Sequence, residues 1–181
     1  MTSSMIDIAS LDGQTFQGYL ALPPTGNGPG IVLIQEIFGV NSHIKAVADQ
    51  YALDGYVVLA PDLFWRMQPG VDLSYSEADF DTALGFMQKM DFSQAVQDLS
   101  ATVSALRART ECTGKVASLG YCMGGLLSYL SAAGTGVDAA VCYYAGSIEN
   151  HLEQADKVHC PILFHFAEKD HYISPAALKA V

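Results

Sequence analysis

Basic residues are scarce: nine Lys and Arg stand against nineteen Asp and Glu, a formal net charge of −10 at pH 7. So acidic a chain is repelled by nucleic acid and by anionic membrane surfaces, which excludes both as partners. Charge of either sign is sparse too, at 15% of residues against 50% hydrophobic, and this excludes disordered, collagen-like and coiled-coil chains. Long apolar runs are missing. Stretches such as GIVLI (30–34) and YVVLA (56–60) have strand length and fall far short of a membrane span. The four cysteines (Cys112, Cys122, Cys142 and Cys160) show no CxxC spacing. The first residues, MTSSMIDIASLDG, lack the basic-then-apolar order of a secretory leader. A cytoplasmic protein with reduced thiols is expected. No HExxH or comparable spacing occurs, so neither a metal nor a cofactor is expected.

What is present is a regular alternation of elements over one domain, residues 1–181. MIDIAS and TFQGYLALP alternate apolar and polar residues around Asp12-Gly13 and read as a hairpin with a two-residue turn. Continuous apolar strands follow at Gly30 to Ile34 and Tyr56 to Ala60, flanking a helical pattern from Ser42 that Gly55 ends. After a long loop from Pro61 through Gly70, helices are predicted near Ser76–Met90 and Phe92–Arg109. A strand at Lys115–Leu119, a helix at Met123–Ala133 and a strand at Ala139–Tyr144 come next. A short helix at Ile148–Gln154 and a strand at Pro161–Phe166 complete the pattern. Apolar strands alternating with helices predict an α/β fold: a mostly parallel sheet with helices on both faces and an antiparallel N-terminal edge.

Gly120-Tyr121-Cys122-Met123-Gly124 falls between a predicted strand and a predicted helix. This is the G-x-nucleophile-x-G arrangement of a sharp strand-to-helix turn, with cysteine where serine is more usual. Such a turn lifts the nucleophile above the sheet, and a thiol at a helix N-terminus is expected to favour thiolate. The amide of Met123 would meet a developing oxyanion. From the short motif alone, a buried structural cysteine in a Gly-rich turn is the competing reading. Cys112, Cys142 and Cys160 lack that context and read as packing residues.

Two further segments follow strands. Asp170, in Ala167-Glu168-Lys169-Asp170-His171, lies C-terminal to the thiol, where an acid belongs in the order nucleophile, acid, histidine. It is equally read as a turn aspartate. The loop Gln35-Glu36-Ile37-Phe38-Gly39 could supply a second oxyanion amide, from Ile37, and bring the Glu36 carboxylate close to the thiol. By spacing alone Glu36 also reads as a solvated loop residue.

QEIFGVN (35–41), VVLAPDLF (57–64), GYCMGG (120–125), YYAG (143–146) and LFHFAEKDHYI (163–173) together resemble the dienelactone hydrolase family (carboxymethylenebutenolidases) of the α/β-hydrolase superfamily. The resemblance implies hydrolysis of an ester or lactone through an acyl-enzyme by a Cys-His-Asp triad. It assigns Cys122 as nucleophile, Asp170 as the acid that orients the histidine, and Glu36 as the carboxylate that interacts with the resting thiol and helps activate it when substrate binds. The amides of Ile37 and Met123 would form the oxyanion hole.

The family places the triad histidine well beyond the acid, after one further strand, and none of the five histidines present fits that role easily. His171 adjoins Asp170, His165 lies within a strand, and His43, His151 and His159 read as surface residues. The chain therefore resembles a member truncated at its C-terminus, with the last strand and helix missing. The edge near Pro161 to Phe166 is then expected to be covered by self-association with a partner chain, by swapping, or by further residues. Dienelactone hydrolases also hold their substrate's carboxylate with arginines, one in the helical region after the long loop. Here that region is Ser76-Glu77-Ala78-Asp79-Phe80-Asp81, whose negative field favours a neutral ester or lactone as the small-molecule substrate. A non-catalytic binding or interaction module on the same fold is the alternative function.

Overall fold

The alternating N-terminal segments pair as expected. In the computed structural model, which describes residues 1–181, β1 (Thr2–Ala9) lies antiparallel to β2 (Thr15–Leu22), in register from Thr2 opposite Leu22 to Ala9 opposite Thr15. Their connection differs from the expected two-residue turn: it spans Ser10 to Gln14. Asp12 organises it by accepting from the Ser10 hydroxyl and from the Gln14 amide at 3.1 Å. A carboxylate that satisfies its neighbours' amides stabilises a wider loop than the dipeptide signal implies.

The remaining strands are β3 (Gly28–Ile34), β4 (Val57–Pro61), β5 (Cys112–Tyr121), β6 (Ala139–Tyr143) and β7 (Ile162–His165), in the spatial order β1-β2-β4-β3-β5-β6-β7. All pairs from β4 to β7 are parallel, and β2 joins β4 antiparallel. This is the mostly parallel sheet with an antiparallel edge read from the sequence. Strand β5 starts three residues earlier than its apolar run, because Cys112 pairs with Gly28 across an irregular register.

Helix α1 (Ser42–Leu53) covers one face, with Ile44, Ala48 and Ala52 fully buried against Ile31, Leu33 and Val58. The Asn41 side chain caps it by accepting the Ile44 amide at 3.1 Å. Helices α2 (Glu77–Lys89), α3 (Phe92–Arg107) and α4 (Met123–Gly134) belong to the other side, where Leu99, Leu106 and Leu127 join the larger core. Two 3₁₀ turns (Ile148–Asn150 and Leu152–Lys157) replace the single short helix expected there, and α5 (Pro175–Ala180) follows β7. No helix is long and apolar enough to cross a membrane.

Strand β3 is the point where the winding reverses: β4 lies on one side of it and β5 on the other. Open α/β sheets present their functional groups beyond the carboxyl ends of the strands at such a point.

Candidate active site

Ile34, the last residue of β3, stands opposite Gly120 near the end of β5. The segments leaving these strands therefore emerge side by side, and they contain Glu36, Ile37 and Cys122. The turn from β5 into α4 is tight. A Cβ on Gly120 would lie 1.9 Å from the Gly124 carbonyl oxygen, and one on Gly124 would lie 2.5 Å from the carbonyl oxygens of Ile34 and Gln35. Glycine at both positions lets α4 begin directly against β3 and β5. Between them Cys122 adopts φ 55°, ψ −117°, a conformation that costs a non-glycine residue on the order of 1–3 kcal/mol and concentrates at functional sites.

The half-buried thiol faces a cavity of about 600 Å³ shared with Ile37, Met123 and Asp170. Four of the five residues singled out from the sequence thus meet in one place. The Ile37 amide makes no hydrogen bond within the chain. Met123 opens α4, so its N–H precedes any intrahelical partner, and it acts on the adjacent Cys122 sulfur by favouring its charged form. Asp170 is fixed through one oxygen: Oδ1 accepts the amides of Tyr172 at 2.7 Å and Ile173 at 3.2 Å. Its Oδ2 takes no hydrogen bond from the chain.

Glu36 stands outside the cavity lining. Its Oε2 accepts the Tyr75 hydroxyl at 2.5 Å and its Oε1 the Tyr144 hydroxyl at 3.1 Å. The negative charge still reaches the thiol. Burial pushes the Cys122 thiol up; the Met123 amide opposes this, while Glu36 and Asp170 add to the rise. This corrects the expectation that the helix N-terminus leaves the resting sulfur as thiolate. Desolvation and two carboxylates outweigh the helix end, neither of which could be weighed from the motif.

The other thiols are poorer candidates. Burial pushes Cys142 up to about 12 and also raises Cys112 and Cys160, and none of the three lines the cavity. Among the histidines, His151 departs from its surface reading, because the 3₁₀ turns bring it onto the cavity wall beside Asn150. Its Nδ1 lies 4.0 Å from Glu153. His165 stacks on Tyr143 at 4.4 Å, His43 packs edge-on against Tyr75, and His159 and His171 are exposed. No three His, Cys, Asp or Glu side chains converge as metal ligands would.

The opposite wall is apolar: Phe38, Phe80, Leu84, Met87 and Phe92, from the β3 loop, α2 and the start of α3. Sequence reading missed this wall because its residues come from three segments that meet only in the packed molecule. No lysine or arginine lines the cavity.

Comparison with known proteins gives a consistent result. The model of the dienelactone hydrolase family matches residues 16–181. A carboxymethylenebutenolidase of Pseudomonas putida is 37% identical over 174 residues, which is 96% of this chain and 74% of that protein. Carboxymethylenebutenolidase 1 of Cupriavidus pinatubonensis is 33% identical, covering 98% of this chain and 76% of its own length. Among solved structures, a candidate dienelactone hydrolase of Klebsiella pneumoniae subsp. pneumoniae superimposes with a TM-score of 0.83 at 26% identity, over 99% of this chain and 78% of that one. The chain belongs to the dienelactone hydrolase family and has its α/β-hydrolase fold.

Proposed function

We propose that the protein hydrolyses neutral carboxylic esters or lactones through an acyl-enzyme on Cys122. Family membership makes it a hydrolase of lactones or esters. The observation that carries the choice of nucleophile is the strained Cys122 turn opening into a cavity that also holds Asp170, Ile37 and Met123. The non-catalytic alternative leaves that strain and convergence without a purpose.

In this reading the thiol gives its proton to a base, and the sulfur adds to the ester carbonyl carbon. The developing oxyanion is met by the N–H groups of Ile37 and Met123. Collapse breaks the ester C–O bond, the leaving alkoxide takes up the proton, and a thioester remains on Cys122. Water, deprotonated by the base, then releases the acid and restores the thiol. The unused Oδ2 of Asp170 suits it to orient an imidazole N–H. The resemblance assigns the base to a histidine well beyond Asp170; among the five present, His151 faces the cavity. Glu36 is the carboxylate that interacts with the resting thiol, its charge adding to the rise that burial produces, and that helps activate the thiol when substrate binds.

The substrate preference follows from the walls. The apolar side accommodates an uncharged acyl or aryl group, while Glu36, Asp170 and the absence of a cation disfavour a carboxylate. Hydrolysis of a neutral aryl ester by the wild type and by Cys122→Ala tests the assignment. A drop of at least about a thousandfold in the variant is expected, and retained turnover refutes it.

Self-association is a second part of the proposal. Strand β7 is an unpaired sheet edge, and Leu163 on it and Tyr172 beyond it are 53% and 89% exposed. That edge is proposed to be covered by a partner chain, by swapping or by further residues; for residues 1–181 alone, only a second copy of this chain can cover it. Sedimentation velocity on residues 1–181 should show a dimer, and a monomer at high concentration refutes it.

A further inference from the structure

We propose that Tyr75 is a positioning residue: with Tyr144, its hydroxyl clamps the Glu36 carboxylate away from the Cys122 sulfur, so that the loop ahead of α2 governs how that carboxylate meets the thiol. The inference rests on the reading of Cys122 as nucleophile and assigns a role to a segment, residues 71–76, that this reading does not use.

The clamp is built from two sides. Both carboxylate oxygens of Glu36 are taken, Oε2 by Tyr75 at 2.5 Å and Oε1 by Tyr144 at 3.1 Å, and neither hydrogen-bonds the sulfur. Tyr144 holds a left-handed backbone at φ 37°, a strained setting that fixes where its hydroxyl reaches. Tyr75 comes from the opposite direction, 39 residues along the chain, and its loop is tied to the loop carrying Glu36. The Leu73 amide donates to the Phe38 carbonyl at 3.0 Å, and Asn41 Nδ2 donates to the Leu73 carbonyl at 3.0 Å. Gly39 bridges Asp72, and a Cβ on Gly39 would lie 1.9 Å from the Val71 carbonyl oxygen, so the two loops are in direct contact. The Tyr75 ring packs on Phe38 with centroids 4.6 Å apart. The hydroxyl is therefore delivered by backbone ties and ring packing that do not depend on Glu36.

Chemistry gives the clamp a direction. Burial, with Glu36 adding to it, pushes the Tyr75 hydroxyl up to about 12, so it remains a donor across the range in which thiols titrate. The carboxylates acting on the sulfur are Glu36 and Asp170, with the Met123 amide opposing them; Tyr144, Tyr172 and His151 line the same cavity; the titratable groups around Glu36 are Tyr75, Tyr144 and Cys122, and His43 lies against the far side of Tyr75. A hydroxyl dipole aimed at Glu36 offsets part of its charge and holds it in place. Removing that dipole strengthens the negative field at the sulfur and frees an oxygen to accept a hydrogen bond from the thiol S–H. Both effects keep the sulfur protonated to higher pH.

The test is the pH profile of Cys122 alkylation by iodoacetamide, followed by peptide mass, in wild type, Tyr75→Phe, Glu36→Gln and the double variant. Phenylalanine keeps the ring on Phe38, and thermal unfolding checks that each variant is folded. Tyr75→Phe should move the midpoint up by about half a pH unit, slowing labelling about threefold below it. Glu36→Gln should move it down, and in that background Tyr75→Phe should change nothing. An unchanged profile in Tyr75→Phe overturns the proposal, as does the same shift in both backgrounds, since Tyr75 would then act through packing. If Glu36→Gln itself leaves the profile unmoved, the role given to Glu36 fails, an outcome distinct from failure of Tyr75 alone.

Discussion

The carbonyl oxygen of Gly124 stands 1.9 Å from the point a Cβ on Gly120 would occupy. Any side chain at Gly120 must push α4 away from β5 and carry Cys122 with it. Gly120→Ala is expected to destabilise the protein by about 3 kcal/mol in urea unfolding, the upper range for overpacking. It should also abolish ester hydrolysis at temperatures where the variant remains folded. A loss below about 1 kcal/mol with full activity contradicts the geometry of the turn.

The two carboxylates near Cys122 have separate effects on its ionisation. Asp170 raises the thiol through its charge, so Asp170→Asn should move the midpoint of Cys122 alkylation to lower pH. Burial remains, so the midpoint should still lie above that of an exposed thiol. A midpoint that rises in this variant would show that the Asp170 charge does not act on the sulfur.

Fold class was legible in residues 28–166 because buried parallel strands and amphipathic helices carry different hydrophobic periods. The order of strands was not, since adjacency of β3 to both β4 and β5 depends on which face each crossover covers, which local pattern does not encode. The G-x-C-x-G turn was legible because the steric demand falls on residues adjacent in sequence. The contact of Tyr75 with Glu36 was not, because it depends on how two loops 39 residues apart are tied together. The ionisation of Cys122 was misread for a related reason: a helix N-terminus is visible in sequence, but the burial that outweighs it is a property of the packed molecule. His151 was placed at the surface because nothing local shows that its turn folds back onto the cavity.

Asp98 anchors α3 to the start of the long loop. It is 2% exposed and accepts the Trp65 indole N–H at 2.9 Å and the Arg66 guanidinium at 2.8 and 3.1 Å. Asp98→Ala strands both donors, and because Arg66 is partly exposed the expected cost is about 2 kcal/mol rather than the full loss for a buried pair. In thermal unfolding this is a fall of about 4–8 °C; an unchanged Tm contradicts it. Arg66 also reaches Asp12 at 2.7 Å. The Ser10 hydroxyl and then Arg66 hold the Asp12 carboxyl well below the usual range. Its stabilising contribution is therefore present above the ordinary aspartate value, about 4, and is lost as pH falls through the depressed one. Asp12→Asn should accordingly flatten the acid limb of the stability profile.

Substrate charge should decide turnover. The kcat/KM for a neutral aryl ester is expected to exceed that for a lactone bearing a carboxylate. Phe80→Arg, which puts a cation on the apolar wall, should narrow that ratio by about tenfold, roughly 1.4 kcal/mol of differential interaction. A wild-type preference for the anionic lactone would contradict the reading of the cavity.

The most direct measurement is peptide mass spectrometry of the protein quenched in acid during turnover of a neutral activated ester. Covalent catalysis by Cys122 requires one acyl group per chain, carried on the peptide containing Gly120 to Gly124 and absent in Cys122→Ala. Steady hydrolysis with that peptide never acylated, or with the acyl group on another residue, would contradict it.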